Sequence, residues 1–308
     1  TFVAGDGIAT TIALSGEAGQ GVTIQPDGKL LVVSTSGSPT AMAVTRYNSD
    51  GSLDTTFGGG SGRYQIPAAV QQDGSSLTLQ SDGKILLAGF SYPSSQLDFL
   101  LVRLNADGTL DTSFGGTGIV TTAVSAGTGD DRAYAVAVQP DNRIVVAGTC
   151  QADFCMVRYL ADGSLDTSFG TGGRVIQHLV GDDSAYAMAL QPDGRIVLAG
   201  SCIPTASLTV AMCVASFTSS GALDTSFGGG TGYTLLNVAS GGEAVRAIAL
   251  QGDGRIVLAG HCAVAFASSL DDFCLARLNA DGSVDTSFGV AGSGWIVSNL
   301  CGGTNRQR

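Results

Sequence analysis

The sequence predicts an all-β fold, a five-bladed β-propeller of four-stranded antiparallel blades with about 55–60 residues per repeat. The first observation is a phrase written five times, NADGTLDTSFG at 105–115 and its near copies, whose Phe falls at 57, 114, 169, 227 and 288. The steps are 57, 55, 58 and 61 residues. The second is a companion phrase on the same beat: QPDGKLLVV (25–33), QSDGKILLAG (80–89), QPDNRIVVAG (139–148), QPDGRIVLAG (191–200) and QGDGRIVLAG (251–260). The third is composition. With 45 glycines and only 13% charged residues, the chain suits many short strands joined by tight turns.

Each element follows in order. Strand a, AYAVAVQ (133–139), alternates small and larger apolar residues, and Ala135, Ala137, Ala187, Ala189, Ala247 and Ala249 let it pack where blades converge. We place it innermost. The P-D-G or D-N turn comes next, because Gly and Asn accept positive φ at little cost. Strand b, RIVVAG (143–148), is nearly all apolar, as a strand covered on both faces should be. Strand c is DFCMVRYL (153–160), and an A-D-G turn leads to the outermost strand d, of the GIVTTAV (118–124) type. Strands a, b and c occur five times and strand d six, counting GIATTIAL (7–14) and GWIVSNL (294–300). Either terminal copy could complete the last blade, so a ring with a doubled closure strand is expected, and an open array is the alternative. The domain reading is one propeller over 1–308. Its units run over roughly 2–56, 57–113, 114–168, 169–226 and 227–287, with 288–308 as closing strand and tail.

Charge and hydropathy exclude some classes. A net charge of −11 argues against nucleic acid, where Lys and Arg contacts to phosphate supply most of the affinity. No apolar run approaches the roughly 18 residues of a membrane helix. The chain starts at Thr1-Phe2 with no signal peptide, which reads as a processed or trimmed product.

The phrases PDGRIVLAG and DFCLARLNADGSVDTSFG resemble the delta-60 repeat, an NHL-like β-propeller repeat of bacterial secreted and surface proteins. The resemblance covers essentially the whole chain. It implies a propeller-like fold and an extracellular or cell-surface setting, the periplasm included. It implies no reaction and no catalytic set. The first unit departs from the pattern at 34–46, and Ser216 stands where Arg46, Arg103, Arg158 and Arg277 stand elsewhere.

Cysteines argue for the same compartment. Cys150/Cys155, Cys202/Cys213 and Cys262/Cys274 flank the b–c loops of units 3, 4 and 5, one ending strand b and the other entering strand c. Facing positions of paired strands lie close to disulfide range. The aligned residues of units 1 and 2, Ser36/Ala43 and Ser91/Leu100, show that the pairs come and go together. Three cross-hairpin disulfides are therefore expected, which imply export. Cys301 is left over, free or available to another chain.

The internal alignment also separates scaffold from candidate chemistry. The Asp of L-D-T-S-F (54, 111, 166, 224, 285) is in every unit and reads as a structural acceptor. As a calcium loop the phrase is a weak match, lacking the D-x-D-x-D-G spacing. The b–c and d–a loops share one rim, and there the residue eight before each strand-a Gln is Glu17, Gln72, Asp131, Asp183 or Glu243. Asp73, Asp130, Asp182, Asp98, Asp153, Asp271 and Asp272 add to it, against Arg132 and Arg246. Glu17, Asp73, Asp130, Asp131, Asp182, Asp183, Glu243 and Asp272 are the candidate ligand or cation residues, with Ca²⁺ the cofactor such oxygens would hold. Glu17, Asp131, Asp183, Glu243 and His261 are the candidates for catalysis, should the rim cleave a glycosidic bond. His178 reads as incidental on an outer strand, and Trp295 as closure packing. No G-x-S-x-G elbow, H-E-x-x-H or P-loop occurs, so enzyme signals are poor.

The expectation is a secreted or cell-surface propeller acting as a binding or scaffold module, with a glycan, a cation or another protein chain as partner. A polysaccharide hydrolase or lyase using the rim carboxylates is the first alternative. The second is a structural subunit of a surface assembly, self-associating through a spare outer strand or Cys301.

Overall fold

The computed structural model describes residues 8, 17–36, 40–67, 71–93, 96–126, 129–205, 209–239, 242–263 and 272–298. It is a five-bladed β-propeller of four-stranded antiparallel sheets. Blade 1 is β1 (Ala18–Ile24), β2 (Leu30–Ser36), β3 (Ala41–Tyr47) and β4 (Arg63–Gln65). Blade 2 is β5 (Gln72–Leu79), β6 (Ile85–Ser91), β7 (Asp98–Leu104) and β8 (Ile119–Thr122). Blade 3 is β9 (Asp131–Val138), β10 (Ile144–Cys150), β11 (Asp153–Tyr159) and β12 (Arg174–Gln177). Blade 4 is β13 (Gly181–Leu190), β14 (Ile196–Pro204), β15 (Ala211–Phe217) and β16 (Tyr233–Leu236). Blade 5 is β17 (Gly242–Leu250), β18 (Ile256–Ala263), β19 (Asp272–Leu278) and β20 (Trp295–Ser298). In every blade the strands lie side by side in chain order.

The last blade takes its outer strand from the C-terminal copy: β20 pairs with β19, Ala276 opposite Trp295 and Phe273 opposite Ser298. The N-terminal copy (7–14) and Cys301 lie outside the described residues, except for Ile8.

The chain divides into two compact units, residues 1–146 with 158–166, and residues 147–157 with 167–308. In the first, Leu31, Val33, Met42 and Val44 of blade 1 meet Ile85, Leu87, Leu100 and Val102 of blade 2 in one core. In the second, Val197, Met212 and Val214 of blade 4 meet Ile256, Leu258 and Ala276 of blade 5, with Trp295 packed against them. Strands β5 and β9 in the first unit, and β13 and β17 in the second, contact each other as innermost strands should.

Three local devices explain the repeated phrases. The a–b turns place Gly28, Gly83, Gly194 and Gly254 at φ of 83–88°, and Asn142 takes the same left-handed position at 64°. Strand a carries a bulge, between Ala185 and Ala187 in blade 4. There the Ser184 carbonyl folds over Gly200, where a Cβ would come within 1.8 Å of it. The same contact recurs at Gly89 and Gly260 and explains the Gly ending A-G, whereas blade 1 has Ser34 at this place. Finally, the L-D-T-S-F phrase is mortar. Asp111 accepts from Arg103 Nε (2.7 Å), Lys84 Nζ (2.9 Å) and Ser113 Oγ (2.6 Å). Arg103 also lies 4.3 Å from the Phe114 ring centroid and donates to the Ala161 carbonyl of the next blade at 2.5 Å. Blade 1 repeats this with Asp54, Arg46, Lys29, Thr56, Phe57 and Ala106.

The three disulfides are present, Cys150–Cys155, Cys202–Cys213 and Cys262–Cys274. They are diagonal rather than directly facing: Cys213 stands opposite Gly200 and Cys202 opposite Ala211. Gly200 has no side chain, so Cys213 leans across it towards Cys202 at a Cα separation of 5.8 Å.

Candidate functional site

The candidate residues gather at the end of each blade where the b–c loop and the d–a connection meet. Strand a begins earlier than the apolar alternation suggests, so that Asp131 heads β9 and Asp183 lies inside β13. These acids are turned inward. Asp131, Asp183 and Glu243 are buried. Asp131 accepts from the N–H groups of Val124 (2.7 Å) and Ser125 (3.0 Å) and from Ser125 Oγ (2.6 Å). Asp183 accepts from the N–H groups of Leu179 (2.7 Å) and Val180 (3.2 Å). Glu243 accepts from the N–H groups of Val238 (2.8 Å) and Ala239. The same position also ties its strand to the preceding b–c loop, with the Asp131 N–H donating to the Leu97 carbonyl and that of Asp183 to Ala152. Gln72 holds the equivalent place in blade 2, its N–H donating to the Thr40 carbonyl and its side-chain amide to that of Pro67. One clasp thus recurs at successive blade junctions, and its chemistry is a carboxylate or amide against main-chain groups.

Burial has a cost at two of these acids. It pushes Asp183 up from the usual carboxylate range, against the Leu179 and Val180 N–H groups, with the Asp153 charge adding to the rise. Burial likewise pushes Glu243 up, against the N–H groups of Val238, Ala239 and Met212. Asp98 is raised by burial first and by the charge of Asp131 second.

The remaining candidates do not converge into a ring of free carboxylates. Glu17 pairs with Arg63 (3.2 Å) and accepts from Ser34 Oγ. Asp130 is exposed and pairs with Arg132 at 2.9 Å. Asp73 is half-buried, Asp182 exposed and Asp272 buried, while Asp271 lies outside the described residues. Two groupings do form. At the junction of blades 4 and 5, Glu243, Arg246 and His261 line a cavity of about 260 Å³ with Tyr186, Ser201 and Val210. There the Arg246 guanidinium stacks 4.3 Å from the Tyr186 ring centroid. At the junction of blades 3 and 4, Asp153, His178 and Asp183 bring ligating atoms within 4.8 Å of one another, the one such group among the described residues.

The second grouping is one that sequence reasoning missed. His178 lies just beyond β12, and its Nδ1 is 2.8 Å from Asp153 Oδ1 and 3.9 Å from Asp183 Oδ2. The hydrogen bond the imidazole donates to Asp153 raises it above its ordinary value. A signal existed: aligned on strand d, the residue at this place is Ala123 in blade 2 and Asn237 in blade 4, so histidine is a departure.

Tandem four-stranded sheets with these recurring clasps define a repeat-built five-bladed β-propeller. The chain belongs to the family described as "Domain of unknown function (DUF5122) beta-propeller", which matches residues 25–57, 80–114, 139–169, 191–227 and 251–288, more than half of the sequence. Comparison with curated proteins finds no match. Among solved structures, the chain is similar to Drosophila semaphorin 1b extracellular domains 1–2 (11% identity, TM-score 0.50, covering 94% of this chain and 58% of that one). It is also similar to the endo-arabinase of Bacteroides thetaiotaomicron VPI-5482 (13% identity, TM-score 0.48, 86% and 95%) and the α-L-arabinofuranosidase of Lactobacillus brevis (14% identity, TM-score 0.44, 82% and 85%). At these identities the likeness is one of fold.

Proposed function

We propose that the chain is a secreted or cell-surface binding or scaffold module, a single propeller of delta-60 repeats that presents ligand-binding loops at the b–c and d–a end of its blades. One observation carries this over the polysaccharide-cleaving alternative. Of the carboxylates a hydrolase or lyase would use, Asp131, Asp183 and Glu243 are buried and bonded to main-chain N–H groups of their own junctions, and Glu17 is paired with Arg63 and Ser34. A general acid or nucleophile must instead reach substrate. The disulfides support the extracellular setting, and no helix of the described residues is long and apolar enough to cross a membrane. The cavity at Tyr186, Arg246 and His261 is where such a ligand would sit, joining a stacked aromatic face to hydrogen-bond donors.

The test presents the disulfide-intact protein to a panel of neutral and acidic polysaccharides, with retention and product release measured together. Retention without release, weakened by Arg246→Ala, is expected. Release of reducing ends or unsaturated sugars that disappears in a folded Glu243→Gln variant would overturn the reading.

A further inference from the structure

We propose that Asp153, His178 and Asp183 form a binding site for a divalent transition-metal ion of the zinc class, at the junction of blades 3 and 4. The site goes beyond the binding-module reading and does not depend on which ligand that module takes.

Three separate segments meet there: Asp153 opens β11, His178 follows β12, and Asp183 lies in β13. The spacing suits an ion. Two ligands each 2.0–2.1 Å from a common metal at the tetrahedral angle lie about 3.3 Å apart. The imidazole-to-carboxylate distances of 2.8 and 3.9 Å bracket that value. One buried group is also left wanting. Asp183 is 0% exposed, and while its Oδ2 is bonded, its Oδ1 has no hydrogen-bond partner among the described residues. A buried carboxylate with one oxygen unpartnered is costly, and a cation held beside that carboxylate offsets the cost.

The supporting structure is stiff. Residues 151 and 152 form a two-residue hairpin turn with both φ values positive, 49° at Gln151 and 64° at Ala152, which is unusual for residues other than Gly or Asn. The Cys150–Cys155 disulfide closes this turn immediately around Asp153, and the Ala152 carbonyl accepts the Asp183 N–H at 2.6 Å. Two of the three ligands are therefore fixed relative to each other by covalent and main-chain bonds before any ion arrives. His178 is 64% exposed on the side-chain measure, so further coordination positions open to solvent and to an external oxygen ligand.

Internal repetition supplies the control. The equivalent triads, read from strand register, are Ala41, Pro67 and Gln72 after blade 1, and Asp98, Ala123 and Asp131 after blade 2. After blade 4 the triad is Ala211, Asn237 and Glu243. The junction after blade 2 has both carboxylates without the imidazole, and that after blade 4 has one. The donor set also selects the ion, since an imidazole with two carboxylates suits zinc-class metals, whereas Ca²⁺ prefers oxygen ligands alone.

The experiment titrates tag-free, disulfide-intact protein, stripped with chelator, with Zn²⁺ in a calorimeter at neutral pH, alongside Ca²⁺. One Zn²⁺ per chain is expected, with Ca²⁺ unable to compete. His178→Ala and Asp153→Asn should each weaken binding by about 100-fold or more, since even loss of a supporting partner costs about 10–100-fold in metal affinity. Asp193→Ala, at an exposed acid of the blade 4 a–b turn outside the group, should leave it unchanged. Both ligand variants alter surface-accessible side chains, and an unchanged metal-free melting temperature verifies their folding. Absence of Zn²⁺ binding, binding unaltered in His178→Ala, or equal competition by Ca²⁺ would each overturn the proposal and reduce the group to an ion pair. The polysaccharide panel reads the binding-module function independently.

Discussion

Asp131→Ala separates a clasp from a catalytic or ligand-binding carboxylate. The wild-type side chain accepts three hydrogen bonds, two of them from main-chain N–H groups. Val124 is 6% exposed, so its N–H cannot be rehydrated when the carboxylate goes, while Ser125 is half-buried and recovers part of its loss. Hydrogen bonds to a charged acceptor contribute about 1.5–3 kcal/mol each, and a stranded buried donor costs about 1–3 kcal/mol. Because the three bonds share one acceptor they do not add, and a net loss of about 3–5 kcal/mol follows. A 308-residue chain has an unfolding entropy near 0.65 kcal/mol/K at about 2.1 cal/mol/K per residue, so the expected fall in Tm is about 5–8 °C. The neighbouring Asp130→Ala removes an exposed pair with Arg132 and a long hydrogen bond from the Leu97 N–H (3.3 Å), together worth about 1 kcal/mol, and should shift Tm by about 1–2 °C. Scanning calorimetry of both variants at neutral pH, with urea midpoints as a check, measures the contrast. Equal Tm for Asp131→Ala and wild type, or equal losses in the two variants, would refute the clasp.

Two further predictions concern pH and redox state. Asp54 and Asp111 lie well below the usual carboxylate range: burial raises each, but Lys29 or Lys84, the Thr56 or Ser113 groups and the neighbouring Arg outweigh it. Asp285 is drawn to about 2, by the Ser287 hydroxyl first. A folded value below the unfolded one, about 3.9, means the contribution is whole above pH 4 and is lost as pH falls through the folded values. Asp183 and Glu243, raised by burial, act oppositely and favour the fold as pH falls towards 4, so Tm should peak on the acid side of neutrality and drop below pH 4. Asp111→Asn should blunt that drop, and an equally steep one would speak against the assignment. For the disulfides, loop-closure entropy over sequence separations of 5 and 12 gives roughly 2 and 3 kcal/mol, so Cys262→Ser/Cys274→Ser should cost more Tm than Cys150→Ser/Cys155→Ser. Denatured, unreduced protein should titrate no more than one thiol, and a higher count would contradict the pairing.

The fold was legible because the chain is its own alignment. Five copies make the a–b turn, the cysteine pairs and the Asp of L-D-T-S-F visible as columns. What the columns do not carry is direction. Asp130 and Asp131 are adjacent acids of equal charge, yet one faces solvent and the other closes on main-chain N–H groups. That difference comes from the pleat of β9 and the path of the d–a connection, neither of which a count of carboxylates contains. The diagonal disulfide geometry was hidden for a similar reason. It depends on Gly200 facing Cys213, which needs strand register rather than spacing.

The two acidic columns tolerate change differently, and the reason bears on where function can arise. The Asp of L-D-T-S-F meets two cations and a hydroxyl at fixed distances within its own blade, in blades 1 and 2 most completely, and it never varies. The clasp column reads Glu17, Gln72, Asp131, Asp183 and Glu243, and varies in both length and charge. Its partners at Asp131, Asp183 and Glu243 are main-chain donors in a connection that can adjust to a longer or shorter side chain. Beside the clasp, Ala123, His178 and Asn237 occupy one place on successive d–a connections, outside the ladder that holds each blade together. Substitution there changes surface chemistry while the clasp next to it keeps the junction closed. A repeat protein built this way can acquire a distinct site at one junction without touching the others, and the site so acquired inherits a preformed buried carboxylate from the scaffold.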